Sequence, residues 1–246
     1  MLSKTQIKYI QSLFHKKFRE EYGQFVVEGP KMAKEAISLF SDHIEHIYAC
    51  PEWFTGYDGD LGILHEKGTR ITEADMSKIS SLQTPSNVLL ILRKLLPEQP
   101  MPWTGITLLL DGIQDPGNLG TIIRTADWFG VNQIVCGSGT ADCYNPKAVQ
   151  ASMGSLFRMN LFYEDLDVFL EQHTSIPLLV SSLAGQPLAA TDGWKDVFLV
   201  IGNESQGVRE TISARASHKI RIPGVGHAES LNAAVATGIL LYELTN

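Results

Sequence analysis

The feature that most limits how this chain can fold is an alternation between two periodicities. Short apolar runs of strand length give way, through turns of Asp, Gly and Pro, to spans whose apolar residues recur at helical spacing. Residues 106–130 show it most clearly. Ile106 to Leu110 form an apolar run, stopped by Asp111-Gly112 and Asp115-Pro116-Gly117. Ile122, Ala126 and Phe129 then share one helical face, while Gly120, Arg124 and Asp127 share another. Asn118 is placed to cap this helix through the backbone N–H of Thr121. A glycine and an arginine thus lie beyond the C-terminal end of a strand, where open α/β sheets bind ligands. Spacing alone equally allows an ordinary βα unit, with Arg124 paired to Asp127 on its surface.

The alternation continues to the C-terminus. Strands are predicted at 106–110, 133–136, 159–163, 178–181, 197–201 and 219–222, and helices at 119–129, 146–153, 165–173, 207–216 and 230–244. This is the pattern of a mostly parallel sheet with helices on both faces. Upstream, Ile7, Ile10, Phe14 and Phe18 predict one amphipathic helix with Lys8, Lys16 and Lys17 outward. Phe25-Val26-Val27 is a short strand, and Pro30 opens a helix through Met32, Ala36 and Leu39. Strands at 44–49 and 88–92, and a helix opened by Thr72-Glu73-Ala74-Asp75, complete a small α/β/α domain. The run Pro97-Glu98-Gln99-Pro100-Met101-Pro102 marks a boundary. The expected organisation is therefore a first domain at 1–96, a linker at 97–103 and a second domain at 104–246. About 50–68 gives no usable pattern.

Two more glycine-bearing loops leave predicted strands. Phe198 to Ile201 empties into Gly202-Asn203-Glu204-Ser205-Gln206-Gly207, where the glycines permit close backbone approach or positive φ. Ile220-Arg221-Ile222 empties into Pro223-Gly224-Val225-Gly226-His227-Ala228-Glu229-Ser230-Leu231-Asn232, followed by a helix crowded with Ala and Gly. Either loop taken alone reads as helix capping and tight packing. Three such loops in one domain suit a shared nucleotide-like pocket.

Asn118-x-Gly120-x-x-x-Arg124, preceded by Asp115-Pro116-Gly117, resembles the first signature of the SpoU/TrmH branch of the SPOUT RNA methyltransferases. The other two loops resemble its second and third signatures, in the expected order. The basic first helix followed by Phe25-Val26-Val27-Glu28-Gly29-Pro30 is similar to the ribosomal-protein-like RNA-binding domain that many members carry. The resemblance covers nearly the whole chain. It implies an α/β fold with a C-terminal trefoil knot that holds S-adenosylmethionine, and methyl transfer to a ribose 2′-OH of RNA. By motif matching, Asn118, Arg124, Glu204, Ser230 and Asn232 surround the reacting ribose, and Gly202, Ile222 and Leu231 contact the cofactor. The resemblance also implies a homodimer formed through the last helix, and favours ribosomal over transfer RNA. Gly224 departs from the pattern, since relatives often carry a larger apolar residue such as Met there. A non-catalytic RNA-binding relative, a transfer-RNA 2′-O-methyltransferase and a base methyltransferase are the alternatives.

The remaining features bound this reading. No G-x-G-x-x-G follows a strand, and no P-loop, H-E-x-x-H, zinc-spaced cysteines or G-x-S-x-G occurs, so no metal is expected. His43 and His46 lack an obvious third ligand. Cys50, Cys136 and Cys143 cannot all be bridged, and no signal peptide or membrane span is evident, so a reducing cytoplasm is expected. The net charge of −7 is unevenly spread. Residues 1–40 carry Lys4, Lys8, Lys16, Lys17, Arg19, Lys31 and Lys34 against Glu20, Glu21, Glu28 and Glu35, a balance of +3 that leaves −10 elsewhere. A basic face for RNA phosphates and a merely solvated helical surface both fit that pattern.

Overall fold

The computed structural model describes residues 1–59, 61–95, 102–187 and 194–245. Most of the proline-rich connector, 97–101, lies outside these residues. The chain divides into two compact units, Met1–Leu96 with Asp142–Phe157, and Pro97–Ala141 with Arg158–Asn246.

In the first unit a capping box starts helix α1 (Lys4–Ser12): Ser3 Oγ accepts from Gln6 N at 3.2 Å, and Gln6 Oε1 from Ser3 N at 2.9 Å. The single helix expected through Phe18 is broken. Tight bonds from Phe14 N to Gln11 O and His15 N to Ser12 O end α1, with Ile10 and Leu13 fully buried, and α2 (Lys16–Tyr22) starts afresh. Gly23, at φ 63°, ends α2 and leads into β1 (Gln24–Glu28). Then follow α3 (Pro30–Phe40), β2 (Ile44–Ala49), α4 (Pro51–Gly56), α5 (Leu61–Lys67), β3 (Gly68–Arg70), α6 (Glu73–Ile79) and β4 (Val88–Arg93). Helices α4 and α5 occupy the stretch, about 50–68, that shows no usable periodicity. The sheet runs β1-β4-β2-β3, antiparallel except that β3 lies parallel to β2. Glu28, buried at the end of β1, accepts from Ser80 Oγ at 2.6 Å, Ser86 N at 3.1 Å and Ser81 N at 3.2 Å, fixing the loop before β4.

The second unit begins with β5 (Ile106–Asp111), α7 (Pro116–Trp128) and β6 (Gln133–Cys136). The chain then contributes α8 (Pro146–Ser152) to the first unit. The periodicity places that helix with residues 104–246, but the contacts of its segment are with the N-terminal elements. Arg19, 1% exposed, donates to Asp142 Oδ2 through Nη2 at 2.7 Å and Nε at 2.9 Å, and through Nη1 to Leu13 O at 2.9 Å. Tyr144 packs on Phe25, with ring centroids 4.6 Å apart.

The second unit resumes with β7 (Asn160–Tyr163), α9 (Leu166–Gln172), β8 (Leu178–Pro187), β9 (Val197–Gly202), α10 (Glu210–Ser213), β10 (His218–Arg221) and α11 (Ala233–Thr245). Its six strands run β10-β8-β9-β5-β6-β7, and every neighbouring pair is parallel. The connection order reverses at β5, which lies between β6 and β9. The C-terminal ends of β5 and β9 therefore flank a topological switch point. Helix α10 is shorter than periodicity indicates, because Gly207 sits at φ 71° in the preceding loop and Arg209 is the cap residue.

The Arg19–Asp142 pair yields a stability prediction. Arg19→Met leaves Asp142, 11% exposed, without its guanidinium partner. Losing one partner of a buried pair costs about 3–5 kcal/mol, so urea unfolding followed by probes in the first unit should shift to lower denaturant by a corresponding amount.

Candidate functional site

Helix α7 starts one turn earlier than the sequence indicates. Asp115, not Asn118, is its N-cap: Asp115 Oδ1 accepts from Asn118 N at 2.7 Å, and Pro116 takes the first helical position, where its missing N–H costs nothing. Asn118 is thereby released from capping and points its amide at the other loops. Its Nδ2 donates to Glu204 Oε1 at 2.6 Å, and its Oδ1 accepts from Asn232 Nδ2 at 2.9 Å. Three residues separated by 86 and 114 positions from the hub thus form one hydrogen-bonded chain.

Glu204 owes its position to the loop after β9. Gly202 pairs with Asp111 across the ladder, and a Cβ on Gly202 would come within 2.6 Å of the Gly207 and Val208 backbone, so only glycine lets the loop fold back so closely. Asn203, whose role the sequence did not reveal, organises the turn. Its Nδ2 donates to Gly112 O at 2.8 Å, while its Oδ1 accepts from Ser205 Oγ, Ser205 N and Gln206 N at 2.7–3.2 Å. The run Asn203-Glu204-Ser205 is thus an Asx turn.

Asn232 joins the cluster from the start of α11. Its Oδ1 accepts from Ala234 N at 3.0 Å and Val235 N at 3.3 Å, so it caps the helix while its Nδ2 reaches Asn118. The structure does not bring Ser230 or Arg124 into this chain. Both are exposed, and among the described residues neither side chain makes a hydrogen bond or ion pair. The surface pairing of Arg124 with Asp127 does not form; Asp127 Oδ2 instead accepts from Arg158 Nη2 at 2.6 Å. Arg124 is left as a cation on α7 with its fork available.

The loop Ile222–Leu231 has the chemistry to hold a nucleoside. Among the described residues no group in it makes a hydrogen bond, so its backbone donors and acceptors are uncommitted. Ile222 is half-buried and Leu231 47% exposed, which provides apolar surface beside those polar groups. The departure at Gly224 is sterically neutral, since a Cβ there meets nothing within 4 Å. No group of His, Cys, Asp or Glu among the described residues could hold a metal ion.

Comparison with known proteins assigns this arrangement to a class. Residues 105–242 match the SpoU rRNA Methylase family, and residues 4–90 match an MRM3-like substrate binding domain. The chain belongs to the SpoU family: it is a SPOUT-class RNA 2′-O-methyltransferase that uses S-adenosylmethionine. Among its relatives is the 23S rRNA (guanosine(2553)-2′-O)-methyltransferase RlmP of Bacillus subtilis, 31% identical over 97% of this chain and 95% of that one. A TrmH-family protein from Porphyromonas gingivalis superimposes with a TM-score of 0.84 at 34% identity, covering 99% and 98% of the two chains. An AdoMet-bound rRNA methyltransferase from Sinorhizobium meliloti gives 0.82 at 29% identity, covering 99% and 96%.

The hydrogen-bonded chain predicts a sharp response to an isosteric change. Asn118→Asp removes the donor and sets a second carboxylate where 2.6 Å now separates Asn118 from Glu204. Like charges at that distance should expel Glu204 from the cluster. Methyl transfer in single turnover should fall by at least about a hundredfold, whereas Asn118→Ala, lacking the repulsion, should be less damaging.

Proposed function

We propose that this enzyme methylates a ribose of ribosomal RNA, with Asn118, Arg124, Glu204, Ser230 and Asn232 around the reacting nucleotide and Gly202, Ile222 and Leu231 around the methyl donor. The observation that carries the reading is the chain Asn232–Asn118–Glu204, which joins the three sequence signatures at one point. The ribosomal substrate rests on relatives: the RlmP protein is named for 23S rRNA, and the Sinorhizobium structure as an rRNA methyltransferase. The segment from β9 to α11 is read as the trefoil knot of the SPOUT fold. Residues 1–96 are read as the substrate RNA-binding domain, 97–103 as the linker and 104–246 as the methyltransferase domain. Lys8, Lys16 and Lys17 are exposed on the first two helices, with Lys16 also 3.7 Å from Glu20. Arg19, buried against Asp142, does not belong to that basic face. Cys50, Cys136 and Cys143 are buried and form no disulfide among the described residues, which suits a reducing cytoplasm. Among the described residues no helix is long and apolar enough to cross a membrane.

S-adenosylmethionine, when bound, supplies an electrophilic methyl group. The chain's own contribution is alignment and charge. Uncommitted backbone groups of 222–231 hold the nucleoside, and Ile222 and Leu231 exclude water from it. Asn118 and Asn232 fix the Glu204 carboxylate, which orients the ribose. Arg124 is always protonated, so it acts as a phosphate clamp and stabilises the negative oxygen that develops on the 2′ position as the hydroxyl proton passes to a phosphate oxygen of the RNA or to solvent.

Mapping ribose methylation in ribosomal and transfer RNA of deletion and parent strains tests the function. A ribosomal position should lose its methyl group and regain it with the wild-type chain but not with Arg124→Ala. Loss confined to transfer RNA would move the substrate; no loss in either would overturn the reading. In vitro, Arg124→Lys should be nearly as damaging as Arg124→Ala, at least about a hundredfold in turnover, because lysine lacks the bidentate fork. Cofactor affinity should be unchanged in both.

The same reading includes a homodimer. Helix α11 buries Ala233, Ala234, Thr237, Leu240 and Leu241, while Val235, Ile239 and Tyr242 stay 52%, 36% and 56% exposed. Leu231 lies just before it, and Trp128, 84% exposed, ends the packed helix α7. Exposed apolar side chains on two helices that pack together fit an isologous interface with a second copy. Light scattering at micromolar concentration should give twice the chain mass, and Val235→Asp with Tyr242→Asp should give a monomer.

A further inference from the structure

We infer that Asp111 and Arg209 form a positioning pair that holds the Glu204 loop in its working shape before substrate and methyl donor arrive; the inference rests on the role proposed above for Glu204. Asp111, 2% exposed, is the last residue of β5. Its Oδ2 accepts from Arg209 N at 2.8 Å and its Oδ1 from Arg209 Nε at 2.7 Å. The far side of the guanidinium is taken by Asp167 Oδ2 on α9, at 3.1 Å from Nη1. Arg209 is thus fixed between two carboxylates, one from strand β5 and one from helix α9.

Asp111 meets both ends of the loop. Across the ladder it pairs with Gly202, where the loop begins, and its carboxylate binds Arg209, where the loop ends. Between those anchors Asn203 closes the turn, helped by Gly207 N donating to Asn203 O at 2.9 Å and Asn203 N to Gly207 O at 3.0 Å. Glu204 stands at the exposed tip, and Asn118 is its only hydrogen-bond partner among the described residues. A single contact at the tip cannot by itself fix a six-residue excursion. Its base must be rigid, and the Asp111–Arg209 pair supplies that rigidity. Removing the Arg209 side chain leaves Asp111 Oδ1 buried without a donor while the strand ladder, built from backbone bonds, persists. The loss should therefore be felt in the loop rather than in the sheet.

Full-length Arg209→Ala and Arg209→Lys, with Glu204→Gln and the double variant, test this. In Arg209→Ala the amides of Ser205, Gln206 and Gly207 should exchange with solvent at least about tenfold faster, with the amides of β5 and β9 unchanged. Arg209→Lys, which keeps one ammonium donor for Asp111, should recover part of that protection. Single-turnover methylation should fall at least about tenfold in Arg209→Ala, yet Arg209→Ala should add less than about twofold in the Glu204→Gln background, because both changes act through one carboxylate. Unchanged loop exchange, or losses that multiply in the double variant, would overturn the pair's role. If the wild-type chain methylates no RNA, the proposed function fails instead, and loop exchange alone decides the positioning role.

Discussion

Everything at the site depends on β5 and β9 lying side by side and parallel. Leu108, Leu109 and Leu110 face Leu199, Val200 and Ile201 across the ladder, all at most 2% exposed, so the pairing is enforced by burial on both faces of the sheet. A slip of one residue would exchange the two faces of β9 and carry the Gly202 turn away from Asp111. Because the strands are parallel, both chains leave at the same edge. The two signatures, 86 residues apart at Asn118 and Glu204, therefore emerge beside each other with no further device.

The third signature arrives differently. Its strand, β10, lies at the sheet edge beside β8, with β8 and β9 between it and β5. What brings Asn232 to Asn118 is the docking of α11 on α7. Asn232 meets Asn118 near the start of the two helices, and Gly238 lies against Thr125 further along, where a Cβ would sit 3.7 Å from Thr125 Cγ2. The helices thus advance together. The lack of a side chain at Gly238 permits that approach, which gives this glycine of α11 a mechanical purpose at the site.

Much of this was legible in the sequence, because strand and helix periods and the polar residues of the signatures are local properties. The strands from β5 to β10 fall where the apolar runs are, and Asn118, Glu204 and Asn232 meet as their motifs imply. The misreadings arise where two local signals compete or where a distant partner decides. Asp115-Pro116 outcompetes Asn118 as the helix start, since proline at the first position adds to a side-chain cap. The amphipathic stripe from Ile7 to Phe18 continues across a break that only the burial of Ile10 and Leu13 explains. The allegiance of 142–157 to the first unit turns on Arg19, 123 residues away from Asp142, which no periodicity can report. The role of Asn203 escapes the sequence because one of its partners, Gly112, is 91 positions away.

The polarity of the central chain of hydrogen bonds is fixed throughout, and that bears on what Glu204 can do. A carboxylate offers only acceptors, so Asn118 must turn its Nδ2 toward Glu204. Its Oδ1 is then free only to accept, which turns Asn232 Nδ2 toward it. Asn232 Oδ1 is left facing the backbone N–H groups of Ala234 and Val235, which can only donate. Donors therefore point one way, from the first turn of α11 through two amides to the carboxylate, and neither amide can flip without losing both its bonds. Such aligned bonds polarise one another. Glu204 receives the end of the series on Oε1, and among the described residues its Oε2 accepts nothing. One oxygen of the carboxylate is thus immobilised by the fold while the other stays open, and in the role proposed for Glu204 that second oxygen is the one a substrate hydroxyl meets.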